Sequence, residues 1–274
     1  MSSAGEELAD GAVLVEVDGP VGRVTINRPR SRNALSPSVV AGLDAAVDAA
    51  TDARCGVVVV RGAHGTLSAG ADLKHLLGVV DEPGALRDYI TSIGATVDRL
   101  EAAPFVSVCV VDGYALAGGC EIMLACDLAV VSETSAIGDR HLEYGLVPGA
   151  GGSVRLTRAL PPMLARRLLY TGEMLDGRTA GQLGLVSHVV PAANLDTAVD
   201  ALVDRLARHG PDALALMRRL HTNARAAEPA RAIAAERDAL LDHLGSATAR
   251  EGLSAFAERR NPDFRRTAPA PVAP

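Results

Sequence analysis

The chain has 274 residues, 48% of them apolar and 3% aromatic, and it carries a formal net charge of −6. This length can bury one large core, or a core with a helical extension, and the core must consist mainly of Ala, Val and Leu. The negative charge argues against nucleic-acid or anionic-membrane binding, and no apolar run reaches the roughly 18 residues that span a bilayer.

The N-terminal segment and the cysteines bear on where in the cell the protein is located. Residues 1–10 are polar and acidic, unlike a secretory signal or a basic transit peptide. The four cysteines, Cys55, Cys109, Cys120 and Cys126, show no paired spacing typical of metal ligands. We therefore expect reduced core thiols in a cytoplasmic protein with no metal, and Cys120 to be a small buried residue on a helix.

Strand-like and helix-like patterns alternate along the first 191 residues. The pattern predicts a hairpin over residues 13–17 and 22–26, then a helix to residue 52 that begins at Ser36 and Pro37. It continues with strands at residues 57–61, 105–111 and 128–131, and with helices at residues 85–101 and 119–126. Repeated strand–strand–helix units of this kind indicate an α/β core over residues 1–191.

The pattern changes after Pro191. Residues 195–208, 211–226, 229–244 and 248–259 are all helix-like and rich in Ala, Leu and Arg. Residues 192–264 therefore form a predicted helical region with little core of its own. The Pro- and Ala-rich tail, residues 265–274, is predicted to be disordered.

Two glycine-rich turns carry the chemical information in the sequence. The first, residues 68–73, follows the apolar run 57–60, and the second, residues 113–121, follows the apolar run 105–111. Glycine lets the backbone approach a ligand closely, and the first N–H groups of a helix have no internal partner. Two such turns that face one point would form an oxyanion hole, which stabilises developing negative charge on an acyl oxygen.

These turns lie among further motifs, so that the chain resembles the crotonase, or enoyl-CoA hydratase/isomerase, superfamily over roughly 240 residues. The matching segments are residues 27–29, 32–36, 69–73, 113–121, 145–152, 171–172, 184–186, 189–191 and 256–264. The resemblance implies a superhelix of ββα turns followed by a C-terminal helical trimerisation region. It also implies a homotrimer or a dimer of trimers.

The resemblance further implies an enzyme that acts on acyl-CoA thioesters, with coenzyme A as part of the substrate and no other cofactor. The backbone N–H groups of Ala71 and Gly118 would form the oxyanion hole. The residues that we assign to CoA binding are Arg28, Arg30, Ala69, Asp72, Leu73 and Lys74. Of these, Asp72 is expected to cap a helix rather than to react, and the arginines suit phosphate by their forked donors.

The reaction also needs oriented acid and base groups beside the thioester. Glu121 is the first candidate, because it lies one helical turn after Gly118 and can face the same cavity. In the hydratases that the chain resembles, a second glutamate twenty residues later helps to add water across the double bond. That position holds His141 in this sequence.

Three interpretations of this departure stay open. His141 can be a working acid/base, since imidazole titrates near neutral pH. The loop can instead bend so that Glu143 or Asp139 supplies the second carboxylate. Alternatively, His141 is structural and hydratase activity has been lost.

The sequence thus predicts an acyl-CoA enzyme that hydrates or isomerises an enoyl-CoA in fatty-acid or related acyl-CoA metabolism. One alternative is different enolate chemistry on a CoA thioester, such as hydrolysis or decarboxylation, with His141 activating water. Another is a catalytically silent acyl-CoA-binding subunit.

Overall fold

A computed structural model describes residues 6–264, so the tail predicted to be disordered lies outside the described residues. The strands are β1 (Glu6–Leu8), β2 (Val13–Asp18), β3 (Val21–Ile26), β4 (Val57–Gly62), β5 (Val106–Val111), β6 (Tyr114–Leu116), β7 (Leu128–Ser132), β8 (Ala136–Gly138), β9 (Leu175–Asp176) and β10 (His188–Val190). The helices are α1 (Pro37–Asp52), α2 (Leu73–Val79), α3 (Pro83–Ala102), α4 (Gly118–Ala125), α5 (Gly152–Ala159), α6 (Pro162–Thr171), α7 (Gly177–Gln182), α8 (Leu195–Leu206), α9 (Pro211–Ala226), α10 (Pro229–Leu244) and α11 (Ala247–Glu258).

The strands form a large sheet and a small one. The large sheet has the order β1-β2-β3-β4-β5-β7-β10, antiparallel from β1 to β3 and parallel from β3 onward. The small sheet has the order β6-β8-β9. Parallel neighbours in a sheet need crossover connections, and here the connections that follow β5 and β7 pass through a strand of the small sheet before a helix.

Each such crossover is one turn of a superhelix. Strand β5 leads into β6 and α4, and β7 leads into β8 and the segment before α5. Strand β4 opens an equivalent turn, in which Ser68 bridges Ala115 of β6 before α2 begins. Successive turns of the coil therefore stack in register, and this places equivalent loops beside one another.

The central strands β4, β5 and β7 are buried on both faces, which explains their continuous runs of apolar residues. In β4, Val58 and Val60 face the main core, whereas Val57 and Val59 face the opposite side. Helix α8 covers that second face with three side chains that are 2–3% exposed, namely Leu195, Val199 and Val203. The predicted helical region therefore begins with α8, a helix that packs on the large sheet and forms part of the core.

Helices α9–α11 extend from this core and keep large apolar side chains exposed, including Met217, Ile233, Leu241 and Phe256. Arg218 connects α9 to the core through Asp127, which accepts hydrogen bonds from its Nε at 2.7 and 2.8 Å. The same guanidinium donates to the carbonyl of Ala103 at 2.6 Å and to that of Glu101. A multiply bonded arginine, 11% exposed, thus fixes the direction in which the helices leave the core.

The mixed α/β architecture with a helical C-terminal region confirms the predicted fold class. The hairpin, the N-cap at Ser36 and the helices over Pro211–Ala226 and Pro229–Leu244 lie where the sequence predicted them. Helix α3 is longer than expected, beginning at Pro83 and ending at Ala102. No helix in the described part of the chain is both long and apolar enough to cross a bilayer.

Candidate active site

The two glycine-rich turns touch each other. Gly70 has φ +98°, and a Cβ at that position would lie 2.8 Å from Ala117 Cβ and 3.1 Å from Gly118 N. A Cβ on Gly118 would in turn lie 3.6 Å from Ala71 N and only 2.8 Å from a methyl group of Leu35. Glycine is therefore required on both sides of the contact, because any side chain would push the turns apart.

The amide groups of Ala71 and Gly118 face this contact without protein partners. The hydrogen bonds of residues 6–264 include none that either N–H donates. Gly118 is the first residue of α4, where an N–H has no acceptor within the helix. Ala117, just before it, adopts φ +48° and ψ −118°, a conformation that is unfavourable for a residue with a Cβ. The backbone strain at Ala117 therefore lies directly beside the Gly118 amide.

Glu121 lies in the first turn of α4 and is 2% exposed. Its Oε1 accepts hydrogen bonds from the backbone N–H groups of Ala150 and Gly152, both at 2.8 Å. No hydrogen bond within the described chain reaches Oε2. Burial raises the pKa of Glu121, and the two amide donors and the nearby His141 limit this rise because they favour the charged carboxylate. One oxygen is therefore held by the backbone while the other is available to a ligand.

Asp139 and His141 form a pair beside Glu121. Asp139 is 3% exposed, and its Oδ1 lies 3.0 Å from His141 Nδ1 and 3.4 Å from the backbone nitrogen of His141. Burial would lower the pKa of His141, but the hydrogen bond and charge of Asp139, together with the charge of Glu121, raise it overall. The surroundings thus favour the protonated form of the imidazole, which lies close to Glu121.

Gly152 lies between the two carboxylates. A Cβ at this position would lie 2.8 Å from Asp139 Oδ2 and 3.1 Å from Glu121 Oε1. Its own N–H donates to Glu121, so the residue both fixes one carboxylate and leaves room for the other. The site therefore combines two buried carboxylates, one imidazole and two unpaired amides, which suits proton transfer next to a developing negative charge.

Glu143, one of the sequence candidates, lies outside this group. Its Oε2 pairs with Arg140 at 3.4 Å, and Oε1 lies beside Gly172 at the end of α6. The three-ten turn His141–Tyr144 carries it away because Arg140 adopts a left-handed conformation, φ +56°. Of the two carboxylates that the sequence left open, only Asp139 faces Glu121.

Cys120 is 2% exposed, as expected for a small helix residue next to Glu121. Burial, together with the charges of Asp139 and Glu121, strongly raises the pKa of its thiol. A thiol in these surroundings stays protonated and is a poor nucleophile. Within residues 6–264, no three His, Cys, Asp or Glu side chains converge in a way that could hold a metal ion.

The residues assigned to CoA binding surround the first turn. Asp72 caps α2, as expected, because its Oδ1 accepts from the N–H groups of Lys74 and His75 at 3.2 and 3.3 Å. Its Oδ2 pairs with Arg28 at 2.9 Å, which holds the pKa of Asp72 below its usual range even though burial opposes this. Arg30 and Lys74 are exposed. No contact in the structure identifies a ligand for them, nor for Ala69 and Leu73.

The sequence did not reveal the turn that holds Glu121. The segment 145–152 appears in the sequence only as one of the matching motifs, whereas the backbone amides of Ala150 and Gly152 within it bind the carboxylate. Arg155 fixes this turn, since its guanidinium donates to the carbonyl of Ala150 at 2.5 Å and to Asp98 at 2.8 Å. A signal did exist, because glycines placed just before a helix often present backbone N–H groups to an anion.

Comparisons with known proteins agree with this architecture. Residues 16–267 match the family model for enoyl-CoA hydratase/isomerase. A probable enoyl-CoA hydratase of Mycobacterium bovis is 32% identical over 253 residues, covering 92% of this chain and 97% of that protein. The 2,3-dehydroadipyl-CoA hydratase of Escherichia coli is 34% identical, covering 88% and 94% of the two chains.

Solved structures give the same result. An enoyl-CoA hydratase from Polaromonas sp. JS666 superimposes with a TM-score of 0.88 at 29% identity, covering 92% of this chain and 99% of that chain. The fold is thus that of the crotonase superfamily. Within it, the chain belongs to the enoyl-CoA hydratase/isomerase family.

The position of Gly152 between two carboxylates generates a test of the site's packing. We expect Gly152→Ala to lower the free energy of unfolding by about 1–3 kcal/mol, because the added methyl group overpacks a filled, polar region. Urea denaturation followed by circular dichroism measures this change. Gly78→Ala in α2, where an added Cβ meets nothing within 4 Å, is the control and should be neutral or slightly stabilising. Equal effects of the two substitutions would contradict the prediction.

Proposed function

We propose that the protein hydrates or isomerises the double bond of an enoyl-CoA, in fatty-acid or related acyl-CoA metabolism, through a thioester enolate. The observation that carries this proposal is the position of Glu121, a buried carboxylate with one oxygen fixed and the other available, one helical turn from the Gly118 amide. The names of the relatives support the hydratase reaction.

In this proposal the thioester oxygen accepts hydrogen bonds from the N–H groups of Ala71 and Gly118. Neither amide has a partner within residues 6–264, and the strained Ala117 fixes the direction of one of them. In a complex with a CoA thioester, the acyl oxygen should lie about 2.7–3.1 Å from each nitrogen. Donors that need no reorganisation during the reaction stabilise the enolate most effectively.

Hydration then requires two proton transfers. Glu121 accepts a proton from water as the water oxygen bonds to the β carbon, and the electrons of the double bond move onto the thioester oxygen. Protonated His141 delivers a proton to the α carbon and restores the carbonyl, and the proton on Glu121 returns to the imidazole. For isomerisation, one group removes an α proton from a 3-enoyl-CoA and a proton is returned at the γ carbon.

The CoA moiety is proposed to lie along the first turn. Ala69, Leu73 and the backbone at Asp72 would contact it, and the exposed cations Arg30 and Lys74 would meet its phosphates. Arg28 would also bind CoA, in addition to its ion pair with Asp72. Phosphate recognition by arginine depends on charge and on the forked geometry of the guanidinium.

Hydrolysis of the thioester is a second candidate, and the Asp139–His141 pair is the observation that favours it. A base-activated water would attack the carbonyl carbon, and the sulfur of CoA would leave with a proton. Purified protein assayed with crotonyl-CoA and with a 3-enoyl-CoA distinguishes the possibilities. Product analysis reports hydration and isomerisation, and a thiol reagent reports released CoA. A protein that binds these esters and converts none of them would be an acyl-CoA-binding subunit.

Assembly into a homotrimer or a dimer of trimers is also part of the proposal. The exposed apolar side chains of α9–α11, among them Phe256 at 85% exposure, support an oligomeric role for this region. We expect light scattering at micromolar concentration to give three or six times the chain mass of 28.2 kDa. A monomeric mass would contradict this expectation.

Substituting Glu121 tests the central assignment. We expect Glu121→Gln to lower kcat about 10²–10⁴-fold with little change in thioester binding, because the amide keeps the size of the side chain and loses its basicity. Steady-state kinetics with crotonyl-CoA and equilibrium binding of the ester give the two values. Glu143→Gln is the matched control, since this carboxylate is half exposed and faces away, and it should leave kcat within about twofold of wild type.

The pH profile tests His141. If ionised Glu121 is the base and protonated His141 the acid, the rate rises with pH through the pKa of Glu121 and falls through that of His141. Both pKa values are raised, so the falling limb should lie above the ordinary histidine value of about 6.5.

Two substitutions complete this test. His141→Ala should lower kcat about 10²–10⁴-fold, and His141→Glu should preserve or increase hydration while removing the falling limb. Full activity of His141→Ala would make the histidine structural. Hydration gained only on His141→Glu would mean that the natural reaction is not hydration.

A further inference from the structure

Asp139 differs from the structural carboxylate of the exposed Asp127 both in its burial and in its partners. Asp127 accepts hydrogen bonds from the backbone and side chain of Ser107 and from Arg218, which ties together three elements. Asp139 is more deeply buried, yet every hydrogen bond recorded for it in the described chain comes from His141. Burying a carboxylate is costly unless its charge is compensated. The compensation here therefore comes from the imidazole and the amide of one residue.

The geometry of this contact fixes the state of the ring. An ionised carboxylate can only accept hydrogen bonds, so Asp139 Oδ1 at 3.0 Å requires the proton to be on His141 Nδ1. Nε2 makes no hydrogen bond within residues 6–264. In the neutral ring the lone pair is then on Nε2, and in the charged ring Nε2 carries the transferable proton.

The backbone around the pair holds this arrangement. Arg140 adopts a left-handed conformation with φ +56°. The backbone nitrogen of His141 lies 3.4 Å from Asp139 Oδ1, so this one oxygen accepts hydrogen bonds from both the main chain and the ring of His141. On the other side, Asp139 Oδ2 lies against Gly152, whose amide binds Glu121. The orientation of the imidazole is thereby coupled to that of the Glu121 carboxylate.

We infer that Asp139 is a positioning residue, which keeps the proton of neutral His141 on Nδ1 and turns Nε2 toward the reacting carbons, so that the site works as a Glu121–His141–Asp139 triad. This inference rests on the proposed function, in which His141 exchanges protons with substrate. A local Asx turn, in which Asp139 serves only the backbone of His141, is the alternative that the experiments must separate.

Kinetics supply the first test. Asp139→Asn should lower kcat about 10–100-fold with KM within about twofold, since the amide keeps the shape of the side chain and loses the charge that fixes the tautomer. In a His141→Ala background the same substitution should cause no further loss, because Asp139 acts through the ring. Glu143→Gln, which removes a charge at the same distance along the chain, is the control and should change neither value by more than about twofold.

Nuclear magnetic resonance of the full-length protein, ¹⁵N-labelled in histidine, supplies the second test. The resonances of His141 are assigned by their loss in His141→Gln. We expect a protonated, pyrrole-type Nδ1 and a pyridine-type Nε2 in the neutral ring. Asp139→Asn should shift the ring toward the other tautomer and lower its titration midpoint.

The charged groups around the ring must be considered in that titration. They are Asp139 and Glu121, the Arg140–Glu143 pair of its own turn and the Arg167–Glu173 pair near α6. Among residues 6–264, Asp139 alone hydrogen-bonds to the ring, so Glu143→Gln and Glu173→Gln should leave the tautomer unchanged.

The outcomes separate this inference from the proposed function. An Nε2–H tautomer in wild type, an unchanged ring in Asp139→Asn, or an equal rate loss in both backgrounds would overturn the role of Asp139. Absence of hydration and isomerisation in wild type would overturn the proposed function alone, because the tautomer can still be measured. If Asp139→Asn does not fold, the wild-type spectrum alone decides whether Nδ1 carries the proton.

Discussion

The burial of the Glu121 carboxylate is the constraint on which the rest of the site depends. A carboxyl group that is 2% exposed needs donors, and the backbone amides of Ala150 and Gly152 supply them to one oxygen only. The turn that carries those amides is held in place by Arg155, which also connects it to α3. A side chain that acts through the backbone of Ala150 thus helps to determine where the acid/base group is placed.

The superhelix accounts for the other part of the site, the two contacting turns that contain Gly70 and Gly118. Because β4 and β5 are parallel and in register, the turns that follow them stack, and Gly70 meets Gly118. Each turn alone would present amides to solvent. Stacked, they bring the amides of Ala71 and Gly118 close together, and the strain at Ala117 shows that the coil, rather than local preference, determines this geometry.

The sequence predicted the elements whose signals are local. Helices α9 and α10 lie within the expected bounds because each begins with proline at its first position and has the composition of a helix. The short strands β6, β8 and β9 carry two or three residues each, too few for a periodic pattern. They exist because neighbouring turns of the coil supply their partners.

The site shows the same difference between features with a local sequence signal and features that depend on contacts between distant segments. The position of Glu121 after Gly118 follows from helical spacing, and the sequence therefore identified it as a candidate. The choice between Asp139 and Glu143 depended on a left-handed residue at Arg140, which arginine does not signal. The glycines of the 149–152 turn signalled an anion site, but its partner Glu121 could not be inferred, because the contact joins segments about thirty residues apart.

The packing of α8 bears on where the chain can be shortened. The change of sequence pattern at Pro191 suggests a boundary there, but Leu195, Val199 and Val203 cover Val57 and Val59 of the central sheet. A chain ending at Pro191 would expose these valines to water, and each buried aliphatic side chain contributes about 1.5–3 kcal/mol. A chain ending between α8 and α9 would keep Leu195, Val199 and Val203 against these valines and would lose only the contact of Leu214 with this cluster. The autonomous folding unit of this protein is therefore expected to extend to about residue 208.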